Sequence, residues 1–195
     1  MRAKELREQM ADRTGISIEK VVVVDRALAD NNLRTKGRGR MPPEVSLQDA
    51  IRLLVGLTAA PAATRAHEAV RDVSKFALFD TSGDAELVFD VTGQTIDRLR
   101  EPAFVENLAA ILELQAEAEP SHKTTARTTI AMEIEIDGMV RLFIRRGTDA
   151  LELEFSGAVD TEPAGWGGIV TVNRVPGPIL RWMGENFDRR RGSDA

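Results

Sequence analysis

The chain has no cysteine, no tyrosine and only two histidines, and aromatic residues make up 5% of its 195 positions. Without cysteine there are no disulfides and no thiolate ligands for zinc. The two histidines, His67 and His122, stand far apart, and no H-E-x-x-H, P-loop or G-x-S-x-G pattern occurs. The glycines of Gly165-Trp166-Gly167-Gly168 lack the spacing of a dinucleotide or phosphate loop. So few aromatics argue against a platform on which single-stranded bases stack. No apolar run approaches the length of a membrane span, and no secretory signal precedes the first charged helix. These absences predict a soluble, cytoplasmic protein, not an enzyme, with no cofactor and no metal. A site built from carboxylates alone, metal-dependent or not, is a catalytic design that the sequence leaves open.

What is present is a hydrophobic fraction of 43%, enough for a real core, and a net charge of −5. A chain of that balance binds nucleic acid only where its cations are gathered locally. They are gathered in Arg34-Thr35-Lys36-Gly37-Arg38-Gly39-Arg40, which contains no acid. Its glycines oppose a helix and let the backbone approach a partner closely. A basic arm of this kind suits a phosphate backbone or a minor groove.

Two helices are predicted ahead of the arm. Ala3, Leu6 and Met10 form an apolar stripe over 3–13, and Gly15 stops that helix. Ile16 plugs the turn. Ser17 stands at the N-cap of a second helix, Ile18 to about Asn31, with Glu19 in its first turn. Val21, Val24 and Leu28 share the inner face. Asn31-Asn32 suits a left-handed exit, and Leu33 turns back to the core.

The turn Thr14-Gly15-Ile16-Ser17, the helix end Ala27-Leu28-Ala29-Asp30-Asn31-Asn32-Leu33 and the arm Arg34 to Arg40 together resemble the DNA-binding half of winged helix-turn-helix regulators. The stretch is also similar to the N-terminal part of some phage and prophage proteins. The likeness covers about a fifth of the chain. It implies that the second helix enters a major groove, with Ser17, Lys20, Val23 and Arg26 facing the bases. It also implies a wing whose Arg34, Lys36, Arg38 and Arg40 reach phosphate or minor groove. The sequence departs from the family pattern in two ways. No helix stands ahead of this pair, so a later one must fill that place. Glu19, Asp25 and Asp30 also offset Lys20 and Arg26 on the second helix.

After the arm, Pro42-Pro43 makes a stiff connector. Ser46 and Asp49 form a capping-box-like start for an apolar helix, Leu47 to about Thr58, the candidate third helix. Pro61 opens a helix to about Ala77. Asp80-Thr81-Ser82-Gly83-Asp84 reads as a turn and domain boundary. Glu86 to Val91 reads as a strand, Thr95 as the cap of a short helix through Leu99, and Pro102 as the start of a helix to about Glu119. The period then changes to two. Ile130, Met132 and Ile134, then Val140, Leu142 and Ile144, then Leu151, Leu153 and Phe155 alternate with polar residues, an antiparallel meander. Parity requires a three-residue first loop that pairs Ile134 with Val140, with a bulge and a left-handed Gly138. Glu133, Arg141 and Glu152 or Glu154 then form cross-strand charge pairs. Ile169 to Asn173 adds a fourth strand, and Ile179 to Phe187 a last helix whose Trp182 is expected over the sheet.

The expected fold class is α+β. A helix-turn-helix and helical region occupies 1–79, an α+β domain 84–188, and a disordered tail 189–195. The function expected is double-stranded DNA binding, by a homo-oligomer, as a transcription regulator or a phage DNA-recognition subunit laid out like a small terminase. The alternative is a protein-interaction or scaffold module that uses the winged helix without DNA.

Overall fold

The computed structural model of the chain describes residues 1–36, 44–83, 85–117, 128–135, 138–157 and 172–187. Helix boundaries at the start follow from single residues. Helix α1 (Ala3–Thr14) stops at Gly15, whose φ of 69° places it in the left-handed region. Helix α2 (Ile18–Asp30) starts where Ser17 Oγ accepts the Lys20 N–H at 3.3 Å. It ends in a Schellman motif. The Leu33 N–H donates to Leu28 O at 2.9 Å, the Asn32 N–H to Ala29 O at 3.2 Å, and Asn32 takes φ 59°. Leu33 packs against the core, as its position predicts.

Helix α3 (Leu47–Ala59) opens on a capping box. Ser46 Oγ accepts the Asp49 N–H at 3.1 Å, and Asp49 Oδ2 accepts the Ser46 N–H at 3.0 Å. It is buried on most sides and packs on α2. A short 3₁₀ turn, Ala63–Arg65, leads into helix α4 (Ala66–Ser74), which packs on α3 and α2. The crossing is close at Gly56. A Cβ there would lie 2.9 Å from Val24 Cγ1 and 3.2 Å from Ala66 Cβ. Gly56→Leu is therefore expected to destabilise by roughly 1–3 kcal/mol in urea unfolding, because neither neighbour has room to yield. A cost below that range would mean that the helices part freely.

Three expectations fail in the middle of the chain. The helix expected to open at Pro61 and run to about Ala77 instead spans Ala66–Ser74, behind the 3₁₀ turn. Ala77–Gly83 is strand β1, not a turn, and it pairs antiparallel with strand β4 (Asp149–Ser156). The ladder of β4 supplies hydrogen bonds that local turn chemistry otherwise takes. A register shift between Leu78 and Asp80 leaves Phe79 58% exposed. The expected boundary at 80–84 thus begins inside a strand of the sheet. Finally, Ala85–Thr92 is helix α5, not a strand. Val88 and Thr92, four apart, are both buried, and Thr92 Oγ1 donates to Val88 O at 2.6 Å. Gly93, at φ 65°, closes this helix on Phe89 O.

Helix α6 (Ile96–Leu99) is capped by Thr95, whose Oγ1 accepts the Arg98 N–H. Helix α7 (Phe104–Glu117) follows, and buries Phe104, Val105, Leu108, Ile111 and Leu112. Strands β2 (Thr128–Glu135), β3 (Met139–Arg146) and β4 form the expected meander. Strand β5 (Val172–Val175) adds to β2, so the sheet order is β1-β4-β3-β2-β5, antiparallel throughout. Helix α8 (Gly177–Asn186) closes the described chain.

The register pairs Ile134 with Val140 and Glu133 with Arg141, as parity requires. The expected left-handed Gly138 is not found. Its φ lies outside the positive region and its N–H donates to Glu135 O at 3.4 Å; the β2–β3 pairing runs without a register shift among the described residues, and loop residues 136 and 137 lie outside them. The inner face buries Ile130, Met132, Ile134, Val140, Leu142, Ile144, Leu151, Leu153 and Phe155 beneath the helices. Phe104 of α7 meets Phe155 edge to face at 5.2 Å. On the outer face Arg141 holds Glu135 Oε1 at 2.6 Å and Glu154 Oε1 at 2.8 Å, while Glu133 pairs with Arg174 at 3.5 Å. Trp182 departs from expectation. Its Nε1–H donates to Gln9 Oε1 at 3.0 Å, and Arg13 sits over its ring at 4.8 Å, so it faces α1.

Candidate nucleic-acid interface

The face of α2 that points to solvent is set by the stripe that points in. Val21, Val24, Asp25, Leu28 and Ala29 are buried, so the opposite face is exposed. It carries Lys20, Val23 and Arg26, and Ser17 is exposed at its start. Val23 is 41% exposed. Glu19 and Asp30 lie on the same side and are exposed too. Two cations therefore face two acids around an apolar Val23. The sequence counted Asp25 among the offsetting acids of this face, but it is turned inward and 1% exposed.

Asp25 explains the largest correction at the candidate site. Arg34, expected to reach phosphate, has a side chain only 10% exposed, and its Nε lies 2.5 Å from Asp25 Oδ1. The N–H is not aligned along that contact, so it is a charge pair more than a directed hydrogen bond. Arg7 of α1 approaches Asp25 Oδ2 at 3.5 Å from the other side. Burial pushes the Asp25 carboxyl above its ordinary range, and the two guanidiniums only partly pull it back.

Next to Arg34, Thr35 is bound to a second buried carboxylate. Its N–H donates to Asp49 Oδ1 at 3.2 Å and its hydroxyl to Asp49 Oδ2 at 3.0 Å. Asp49 is 1% exposed and also caps α3. The start of the basic arm is thereby fastened to α2 and α3 at once, with Arg7 of α1 on the same Asp25 carboxylate. Lys36 is exposed. Arg38 and Arg40 lie outside the described residues. Where the chain returns, Glu44 forms an antiparallel bridge with Arg2 just ahead of α1. At the C-cap of α2, the end from which the arm leaves, Arg71 of α4 donates to Asn31 Oδ1 at 3.3 Å, a cation that the linear sequence did not place here.

The sequence did carry a signal for Asp25. Val21, Asp25 and Leu28 share one stripe at helical spacing, and a carboxylate on an apolar stripe needs buried cations. No such signal ties Thr35 to Asp49, which are distant in sequence.

A cleft of about 380 Å³ opens elsewhere, between α4 and the hairpin end of the sheet, over Phe76, Val73 and Ala69. Its rim acids are each paired. Glu68 meets Arg65, Asp72 meets Lys75 at 3.9 Å, and Glu135 meets Arg141. Among the described residues, no helix is long and apolar enough to cross a membrane. No protein-family model, curated protein or solved structure matches the chain.

Proposed function

We propose that the chain is a non-catalytic double-stranded DNA-binding protein. Ser17, Lys20, Val23 and Arg26 meet the major groove, and Lys36, Arg38 and Arg40 meet phosphate or the minor groove. The observation that carries this reading is the placement of the basic arm's root. It is held beside a helix that follows a three-residue turn and leaves Lys20, Val23 and Arg26 free. An exposed valine suits a thymine methyl, and the flanking cations suit phosphate or guanine. The Arg2–Glu44 bridge adds support, because it returns the arm to the chain ahead of α1. One short helix-turn-helix offers little contact area, so we assign DNA binding to a homo-oligomer in the cytoplasm, with the α+β part as its assembly surface. A dimer marks a transcription regulator; a ring marks a packaging subunit of the small-terminase type.

The test is fluorescence anisotropy with mixed-sequence duplex DNA at several salt concentrations. Affinity is expected to fall with salt, by a slope of about 0.9 per phosphate contacted. Arg38→Ala/Arg40→Ala is expected to make that slope shallower by about two. Folded protein that binds no duplex at low salt overturns the proposal. One observation favours a second reading. Exposed Glu19 and Asp30 leave the α2 face close to neutral, as suits a protein partner. That reading takes over if the arginine variants bind duplex as the wild type does.

A further inference from the structure

A DNA-binding arm that leaves the protein in a fixed direction relative to the helix that reads the bases loses less freedom on binding. Binding geometry depends on residues that touch no ligand but hold those that do. The root of the arm has such residues. Arg34 contacts Asp25, and Thr35 donates twice to Asp49. Both carboxylates are almost fully buried, and each sits on a helix of the helix-turn-helix unit. Arg7 on α1 closes the cluster from the third side.

We propose that Asp25 and Asp49 are positioning residues for the DNA-contacting arm, and that Arg34 and Thr35 anchor it instead of touching phosphate. This rests on the DNA-binding reading above. It removes Arg34 from the set of phosphate contacts and leaves Lys36 as the first free cation of the arm among the described residues. Buried carboxylates suit this task. A guanidinium held in a low-dielectric site is not readily given up to a solvent-exposed phosphate, so the anchor survives binding. The two carboxylates also grip consecutive residues, which fixes direction as well as position.

Asp49→Asn would disturb the start of α3 as well as the arm, because Asp49 also accepts from Ser46. The discriminating variant is Thr35→Val, which keeps the shape of an exposed side chain and removes only the hydroxyl donor. It is expected to keep the wild-type circular dichroism and to speed amide exchange at Thr35, whose N–H donates to the same carboxylate. Duplex affinity is expected to fall roughly five- to tenfold, about one hydrogen bond's worth, with an unchanged salt slope. Thr35→Ser is expected to restore affinity. Arg26→Ala, a phosphate or base contact on α2, is the control whose slope becomes shallower if it meets phosphate. Thr35→Val that binds like the wild type, or loses affinity with a shallower slope, overturns the positioning role alone. Wild type that binds no duplex overturns the DNA reading and this role with it.

Discussion

Arg34→Ala is expected to lower the stability of the fold by about 3–5 kcal/mol at pH 8, and by clearly less at pH 5. The residue reads from sequence as a free cation of the arm, for which truncation to alanine costs little. In the folded chain it is one of two guanidiniums against a carboxylate that is 1% exposed. Removing it leaves Asp25 with Arg7 alone, 3.5 Å away and partly open to solvent. The pH dependence follows from the direction of the Asp25 shift. Burial outweighs both cations, so the folded carboxyl binds its proton more readily than the unfolded one, whose ordinary value is 3.8. A group with a raised folded pKa contributes its full stability below the unfolded value and loses it as pH rises through the folded one. Without Arg34 the folded value climbs further, and the loss extends to higher pH. The gap between variant and wild type must therefore widen from pH 5 to pH 8. Urea unfolding at both values measures it, and a gap that stays flat or narrows contradicts the buried pair. The double variant Asp25→Leu/Arg34→Met removes the buried carboxylate with its partner and is expected to recover much of the loss, because the Arg7 guanidinium left behind is partly open to solvent.

This case also marks what was legible in the sequence. Period and cap chemistry are local, and they carried the two N-terminal helices, the α3 capping box and the sheet register. Ser17, Gly15, Asn32, Ser46 and Asp49 each do what their chemistry dictates within a few residues of their own position. Parity alone paired Ile134 with Val140. The failures are tertiary. Asp80 to Gly83 has the composition of a turn and becomes a strand because β4 is there to pair with it. Leu87-Val88-Phe89 has the composition of a strand and becomes helical, with Val88 and Thr92 turned inward together. At the candidate interface, periodicity gave the exposed set on α2. It gave nothing on the arm's attachment, because Asp49 grips Thr35 across a fold that joins residues distant in sequence.

The longest of those connections joins the two ends of the described chain and predicts the second large effect. Trp182→Ala is expected to cost about 3–5 kcal/mol, the range for a large aromatic lost from a core. Trp182 is 4% exposed on α8, yet its polar contacts are with α1. Its indole N–H satisfies Gln9, its face carries the Arg13 guanidinium, and its edge meets Phe187 at 6.4 Å. Trp182→Phe separates these terms. It keeps much of the apolar area and loses the donor, so the expected cost falls to about 1–2 kcal/mol, and Gln9→Ala, which leaves the buried indole N–H without its acceptor, is expected to cost about 1–3 kcal/mol. If instead Trp182→Phe costs as much as Trp182→Ala, shape at the α1 contact decides and the hydrogen bond is incidental. The contact has a wider consequence. Helix α8 also packs on α7 and β2, so Trp182 fastens the sheet side of the molecule to helix α1. Unfolding followed by Trp182 fluorescence, in a Trp166→Phe background, should then coincide with loss of helix by circular dichroism. A fluorescence transition that precedes the loss of helix would mean that α8 detaches first and that the N-terminal helices stand without it.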